Sequence, residues 1–244
     1  MTTVIITRPK SKQQAALKIF KAQGFEVLSA PCINATSNPN IKLQWIEQAG
    51  QTEVLIVLNS HAIDALLTRY PGFSVSDKTQ VIGIGKAVTS HWKKHLKAPI
   101  TEASGNSESV IAILDRIKPR NITVLTSLGG RELIKAYALV KRINFTQLNC
   151  YIKQQLPLDL TAWQAVLANQ KGVILTANSG QLLHLIQSQL PDHLWQQLLS
   201  SPLVTGASRI TEMATQLGFK NTHTAQSPSN QDMLRAAIQI KSVG

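Results

Sequence analysis

Acidic side chains are scarce in this chain of 244 residues. Thirteen Asp and Glu stand against 25 Lys and Arg, giving a formal charge of +12 and a pI near 9.9. Carboxylates this few show no obvious acid/base pair. Cysteine is scarcer: Cys32 and Cys150 lie far apart and have neither metal-type spacing nor the density of a disulfide framework, which points to a reduced, cytoplasmic chain. Aromatics make up 5%, too few for a base-stacking surface, and RNA-binding signatures are absent. Trp45, Trp92, Trp163 and Trp195 therefore read as core or interface residues. No apolar run is long enough to span a bilayer, and the opening Met-Thr-Thr-Val-Ile-Ile-Thr-Arg lacks a signal-peptide layout.

Familiar motifs are missing too. Gly83-Ile84-Gly85 has no third glycine to complete a dinucleotide fingerprint. There is no phosphate loop ending in Gly-Lys-Ser/Thr and no Gly-x-Ser-x-Gly elbow. The six histidines are scattered. His91 and His95 stand four apart on one predicted helix, but the sequence around them supplies lysines rather than acids. They read as a solvated helix face, and no metal is expected.

What is present is ample apolar material. The chain is 43% hydrophobic with mean hydropathy near zero, enough for one large domain or two modest ones and against disorder. The positive charge suits an anionic partner: nucleic acid, anionic lipid, or a carboxylate or phosphate ligand. It is evenly spread. Residues 1–122 carry 15 basic and 8 acidic groups, and residues 123–244 carry 10 and 5. No basic tail exists, and Lys93-Lys94-His95-Leu96-Lys97 reads as a solvated helix end. Nucleic-acid binding is therefore a minority expectation.

Periodicity reveals one unit written twice. Val4–Thr7 is a short apolar strand, followed by a helix over 11–23, a stop at Gly24 and a strand over Phe25–Leu28. Val54–Leu58 is a strand leading into a helix capped at Asn59-Ser60. Val81–Ile84 leads through Gly85-Lys86 into another helix, and Asn106-Ser107-Glu108 caps a further one. The order then returns. Ile122–Leu125 runs into Thr126-Ser127 and Gly129-Gly130-Arg131, Val173–Leu175 into Thr176-Ala177-Asn178-Ser179, and Leu203–Thr205 into Gly206-Ala207-Ser208-Arg209. Asn230-Gln231-Asp232 caps the last helix. Thr7 matches Thr126, Asn59 matches Ala177, Gly85 matches Gly206 and Asn106 matches Asn230, at offsets of 118 to 124 residues. The extended tract from Cys32 to Pro39 matches that from Cys150 to Pro157. Such a repeat predicts two parallel-sheet α/β domains.

Each predicted strand ends in a small or hydroxylated loop before a helix. In open α/β sheets that edge binds ligands, and helix N-termini there offer free N–H groups and partial positive charge to anions. Two such edges facing each other would form a cleft lined by backbone donors. A site rich in donors and poor in strong acids suits a substrate that is already reactive and needs to be held in one conformation.

The ordered strings across both halves resemble the uroporphyrinogen-III synthase family over nearly the whole length. The carriers are Ile6-Thr7-Arg8-Pro9; Gly24, Val27 and Pro31; Leu58-Asn59-Ser60; Gly85-Lys86-Ala87; and Asn106-Ser107-Glu108. They continue with Gly129-Gly130-Arg131-Glu132-Leu133, Tyr151, Thr176 with Ser179, Gly206 with Arg209-Ile210, and Gln231-Asp232-Met233-Leu234. Departures are Asn59 where many relatives have Ser, Val88 for a hydroxyl residue, Ala177 for Ser and Ala207 for Pro.

The resemblance implies two α/β domains with exchanged segments. Residues 1–34 with 156–244 would form one and residues 38–150 the other, joined by linker strands at 34–37 and 152–155. It implies a cyclising carbon–oxygen lyase that turns hydroxymethylbilane into uroporphyrinogen III with loss of water and inversion of the last ring. No metal or organic cofactor is implied. The partner would be that small polycarboxylate, bound by a cytoplasmic monomer with no nucleic acid and no membrane. Transient contact with the preceding pathway enzyme stays open. Tyr151 would be catalytic, assisting the departing hydroxyl. Thr7, Arg8, Asn59, Ser60, Gly85, Lys86, Ser127, Gly129, Gly130, Arg131, Thr176, Ser179, Gly206, Ser208 and Arg209 would bind substrate. The departures keep a second function class in view, a non-catalytic two-domain module of the same fold that binds a tetrapyrrole or similar polyanion.

Overall fold

Strand β1 (Thr3–Ile6) is three-quarters buried apolar residues. After a single 3-10 turn at Lys10–Lys12, α1 (Gln13–Ala22) buries Ala16 and Phe20 on one face. The computed structural model from which these positions come describes residues 2–128, 132–168 and 172–243. Gly24 ends this first helical segment. Its φ of +70° is a left-handed turn that glycine adopts without a Cβ penalty, and Phe25 N then donates back to Phe20 O. The chain continues through β2 (Glu26–Ser29), β3 (Ile33–Ser37), α2 (Leu43–Gly50), β4 (Val54–Val57), α3 (Ser60–Arg69), β5 (Gln80–Ile84), α4 (Lys86–His95), β6 (Ile100–Ala103) and α5 (Ser107–Ile117). There follow β7 (Asn121–Ser127), α6 (Glu132–Val140), β8 (Asn144–Gln155), α7 (Leu160–Ala168), β9 (Val173–Ala177), α8 (Gly180–Gln187), α9 (Asp192–Leu199), β10 (Leu203–Thr205), α10 (Ser208–Gln216), β11 (Thr222–Thr224) and α11 (Asn230–Val243).

These elements sort into two compact units, Met1–Asn34 with Gln154–Gly244 and Ala35–Lys153. Among the described residues, the first holds a five-stranded sheet ordered β11-β10-β9-β1-β2, and the second a six-stranded sheet ordered β3-β8-β7-β4-β5-β6. All the registered pairs are parallel. The exchange of segments is visible in these orders. Strands β1 and β2 open one sheet, which β9, β10 and β11 from the second repeat complete. Strands β7 and β8 open the other, which β4, β5 and β6 from the first repeat complete. Each set has the doubly wound order second-first-third-fourth-fifth, whose ligand crevice lies beyond the carboxyl ends of its strands.

A parallel sheet buried on both faces needs apolar residues on both, and period-2 alternation distributes them. In the first unit Val4, Ile6, Ile174 and Val204 face α1 and α11, whereas Ile5, Leu175 and Leu203 face α7 through α10. In the second, all four residues of β4 are buried. Trp92 donates to Ala98 O at 2.8 Å within that core, and Trp195 meets Phe219 edge-on at 5.6 Å. Trp163 is buried too. Trp45 departs from the core expectation: it is exposed, with Lys42 Nζ over its ring. No described helix is long and apolar enough to cross a membrane.

The chain crosses between units within β3 and within β8. The bonds Asn38 N to Cys150 O and Leu156 N to Cys32 O frame this pair and show it to be antiparallel. The last helix is capped one residue earlier than predicted. Ser229 Oγ accepts from Asp232 N at 3.1 Å and donates to the Asp232 carboxylate at 2.9 Å, so Asn230 is already the first helical residue.

Candidate active site

In the second unit, β4, β5, β7 and β8 deliver the predicted residues to one sheet edge. Tyr151 arrives there through a bulge. Thr126 pairs with Asn149 but Ser127 pairs with Tyr151, so Cys150 is the extra residue. Such an insertion re-aims the side chain that follows, and Cys150 and Tyr151 are both buried in succession. Asn38 fixes the approach to the bulge, its amide side chain donating to Asn149 O at 2.9 Å.

Tyr151 is 5% exposed, and burial raises its phenol above the ordinary value of 10.0. The side chains of Ser127 and Asn59 lie within hydrogen-bonding reach of the phenol and partly offset that rise. Asn59 does two jobs. Its Oδ1 caps α3 by accepting from Ala62 N at 2.9 Å, which leaves its amide N–H groups for the phenol. His61 packs its ring 5.7 Å from that of Tyr151. Burial thus favours the protonated phenol, with Asn59, Ser127 and His61 as its neighbours. A phenol that keeps its proton can donate it to a leaving oxygen.

Ser60 opens α3, Gly85 precedes α4 and Lys86 opens it. Gly85 sits at φ +90°, and a Cβ there would meet Gly105 Cα at 3.2 Å. This turn therefore demands glycine. Gly129, Gly130 and Arg131 lie outside the described residues.

In the first unit, β1, β9 and β10 deliver the other set. Thr7 and Thr176 are buried, with their hydroxyls engaged: Thr7 Oγ1 donates to Thr176 O at 2.7 Å and Thr176 Oγ1 to Ile5 O at 3.0 Å. These two side chains knit β1 to β9 under the crevice. Arg8 is half-buried, and burial lowers its pKa. It donates to Pro228 O, which Asn178 Nδ2 also reaches at 3.1 Å. A Cβ on Gly206 would meet Pro228 Cβ at 2.8 Å. The loop before α11 is thus seated on Arg8, Asn178 and Gly206. Ser179 stands at the cap position of α8 without a side-chain capping bond. Ser208 and Arg209 are exposed in the first turn of α10.

Two cations sit where helix electrostatics disfavours them. Lys86 begins α4 and Arg209 is the second residue of α10, both at the positive end of a helix dipole. A bound anion would compensate both the cations and the unpaired N–H groups.

Reading the sequence alone overlooks Asn178, His61 and Pro228. Asn178 falls inside the Thr176-to-Ser179 string and could have been read as a donor. The Pro228 carbonyl and the His61 ring carry no local signal, since contacts across the fold bring each into place.

Two doubly wound parallel α/β units with exchanged segments define the fold class, and the second carries a buried phenol at the carboxyl edge of its sheet. The chain belongs to the uroporphyrinogen-III synthase family, a family of cyclising lyases: the family described as "Uroporphyrinogen-III synthase HemD" matches residues 14–235. The uroporphyrinogen-III synthases of Escherichia coli and Salmonella typhimurium are similar, at 21% and 24% identity over 96% of this chain and 99% of theirs. The fold is shared with a mutant uroporphyrinogen III synthase from Thermus thermophilus, with a TM-score of 0.71, 12% identity and full coverage of both chains. It is also shared with uroporphyrinogen-III synthetase from Helicobacter pylori, with a TM-score of 0.63, 13% identity and coverage of 98% of this chain and 100% of that one.

Proposed function

We propose that this chain converts hydroxymethylbilane to uroporphyrinogen III, with Tyr151 as the acid that assists loss of the hydroxyl. Tyr151 gives its proton as the carbon–oxygen bond breaks, and water leaves. The electron pair of the bilane's own pyrrole then forms an azafulvenium cation. Attack by the substituted carbon of the last ring gives a spiro intermediate, which fragments and recloses with that ring inverted. Reclosure at the free α-carbon of the inverted ring expels that carbon's proton, which returns to the Tyr151 phenolate, so that water alone is lost overall; the inversion needs the bilane carboxylates held so that the substituted carbon is the one presented.

The observation that carries this reading is the buried, protonated Tyr151 beside Ser127 and Asn59 at a carboxyl sheet edge. Lys86, Arg209 and the first-turn N–H groups of α3, α4, α8 and α10 supply positive charge and donors for carboxylates. Two free, buried cysteines support a reducing compartment such as the cytoplasm. Product analysis of wild type and Tyr151→Phe tests the assignment. The variant keeps its secondary structure, still yields type III isomer, and turns over about 10-fold or more slowly, as expected for one lost general-acid contact. An unchanged rate makes Tyr151 a packing residue.

A further inference from the structure

On the surface of the second unit, α3 and α4 bring together three metal-ligating side chains that sequence spacing alone left as two. His91 and His95 project from one face of α4, with ring centroids 4.7 Å apart. The acid missing from their sequence neighbourhood comes from α3: Asp64 Oδ1 lies 2.5 Å from His91 Nε2. One ligand atom from each of the three lies within 4.8 Å of the others. We infer that Asp64, His91 and His95 form a surface binding site for a zinc-like divalent ion.

The geometry needs little adjustment. Zinc bonds of about 2.0–2.2 Å set tetrahedral ligand atoms roughly 3.4 Å apart. The Asp64–His91 contact opens and His95 closes in, both by side-chain rotation, since Asp64 and His95 are exposed and His91 is half-buried. Three protein ligands leave a fourth position for water. Two imidazoles with one carboxylate select Zn²⁺, Co²⁺, Ni²⁺ or Cu²⁺ over Mg²⁺ and Ca²⁺, which take all-oxygen sets. Lys94 neighbours the pair on the same helix and Lys93 turns to another face; the Lys94 charge lowers affinity for a cation. A bound ion would staple α3 to α4. Asn59 and Lys86 stand at the N-termini of these two helices, so the staple would stiffen the edge that carries the phenol cluster. The site itself stands apart from the chemistry proposed for Tyr151.

The test titrates ZnCl₂ into tag-free, chelator-washed protein by calorimetry, with Co²⁺ absorption as a second measurement. One ion should bind per chain, raise the melting temperature and give the visible bands of four-coordinate Co²⁺. His95→Asn and Asp64→Asn, both at exposed positions that leave the core intact, should each weaken binding at least ~10-fold and abolish the thermal shift. His184→Asn and His223→Asn should leave binding unchanged. The proposal is overturned if no stoichiometric ion binds, if binding survives in both site variants, or if Mg²⁺ binds as well as Zn²⁺; Asp64–His91 is then a simple ion pair.

Discussion

Tyr151 is the one acid that the proposed reaction asks of the chain, and its surroundings set its proton affinity. Burial is the largest influence on its phenol and moves the pKa upward, while Ser127 and Asn59 pull the other way. The sign matters for pH. A donor whose pKa lies above 10.0 keeps its proton through neutral and mildly alkaline solution, so turnover should fall only above about pH 10. In Tyr151→Phe that alkaline limb should vanish from the pH–rate profile, along with most of the rate. Asn59 can be dissected in the same way. Asn59→Asp retains an oxygen to cap α3 but loses the amide donor and sets a negative charge near the phenol. Its stability should match wild type, and its alkaline limb should move to higher pH. Asn59→Ala should instead cost about 1 kcal/mol of unfolding free energy through the lost cap, measured by urea denaturation. Much of this site is legible from residue identity: Tyr151 and the Leu58-Asn59-Ser60 string carry the family resemblance, and Ser127 ends a strand predicted from its apolar run. The bulge at Cys150 is not, because nothing in Asn149-Cys150-Tyr151 distinguishes an extra residue from ordinary alternation. Two of the departures from family pattern, Val88 and Ala177, turn out to be core positions, where an apolar side chain does no harm.

At the scale of elements, legibility follows burial. Central strands β1, β4, β9 and β10 read clearly because sheets covered on both faces demand unbroken apolar runs. Edge strands β6 and β11, Ile-Thr-Glu-Ala and Thr-His-Thr, carry no such run and are set by pairing with β5 and β10. Helices α2, α7 and α9 go unread because they have no glycine or Asn-Ser string to mark their starts. Helix N-termini carry the functional argument, and Lys86 tests it. Lys86→Glu turns an unfavourable charge at the start of α4 into a favourable one. The variant should melt at or above the wild-type temperature and yet show a raised KM for the bilane, with the KM of wild type rising as salt is added. A KM that does not change would remove Lys86 from carboxylate binding.

The whole molecule explains how a duplicated β/α unit yields two sheets that are each mixed from both copies. Four anchors in register make the duplication legible, because the repeat recurs in the order of loops rather than in the identity of residues, whereas the exchange of segments is what the family resemblance implies. The excess charge of +12 now divides by place. Arg8, Lys86 and Arg209 stand at carboxyl sheet edges, whereas Lys93 and Lys94 lie at the far end of α4. In the proposed function, Arg8 and Arg209 of the first unit and Lys86 of the second are the cations offered to carboxylates. The central claim is that this arrangement fixes which carbon of the last ring attacks. It is tested most directly by supplying freshly made hydroxymethylbilane and separating the uroporphyrin isomers after oxidation. The account predicts type III isomer in excess over the enzyme-free reaction. Type I alone, as in the enzyme-free control, or tight product binding without turnover, would contradict it and leave a polyanion-binding module of the same fold.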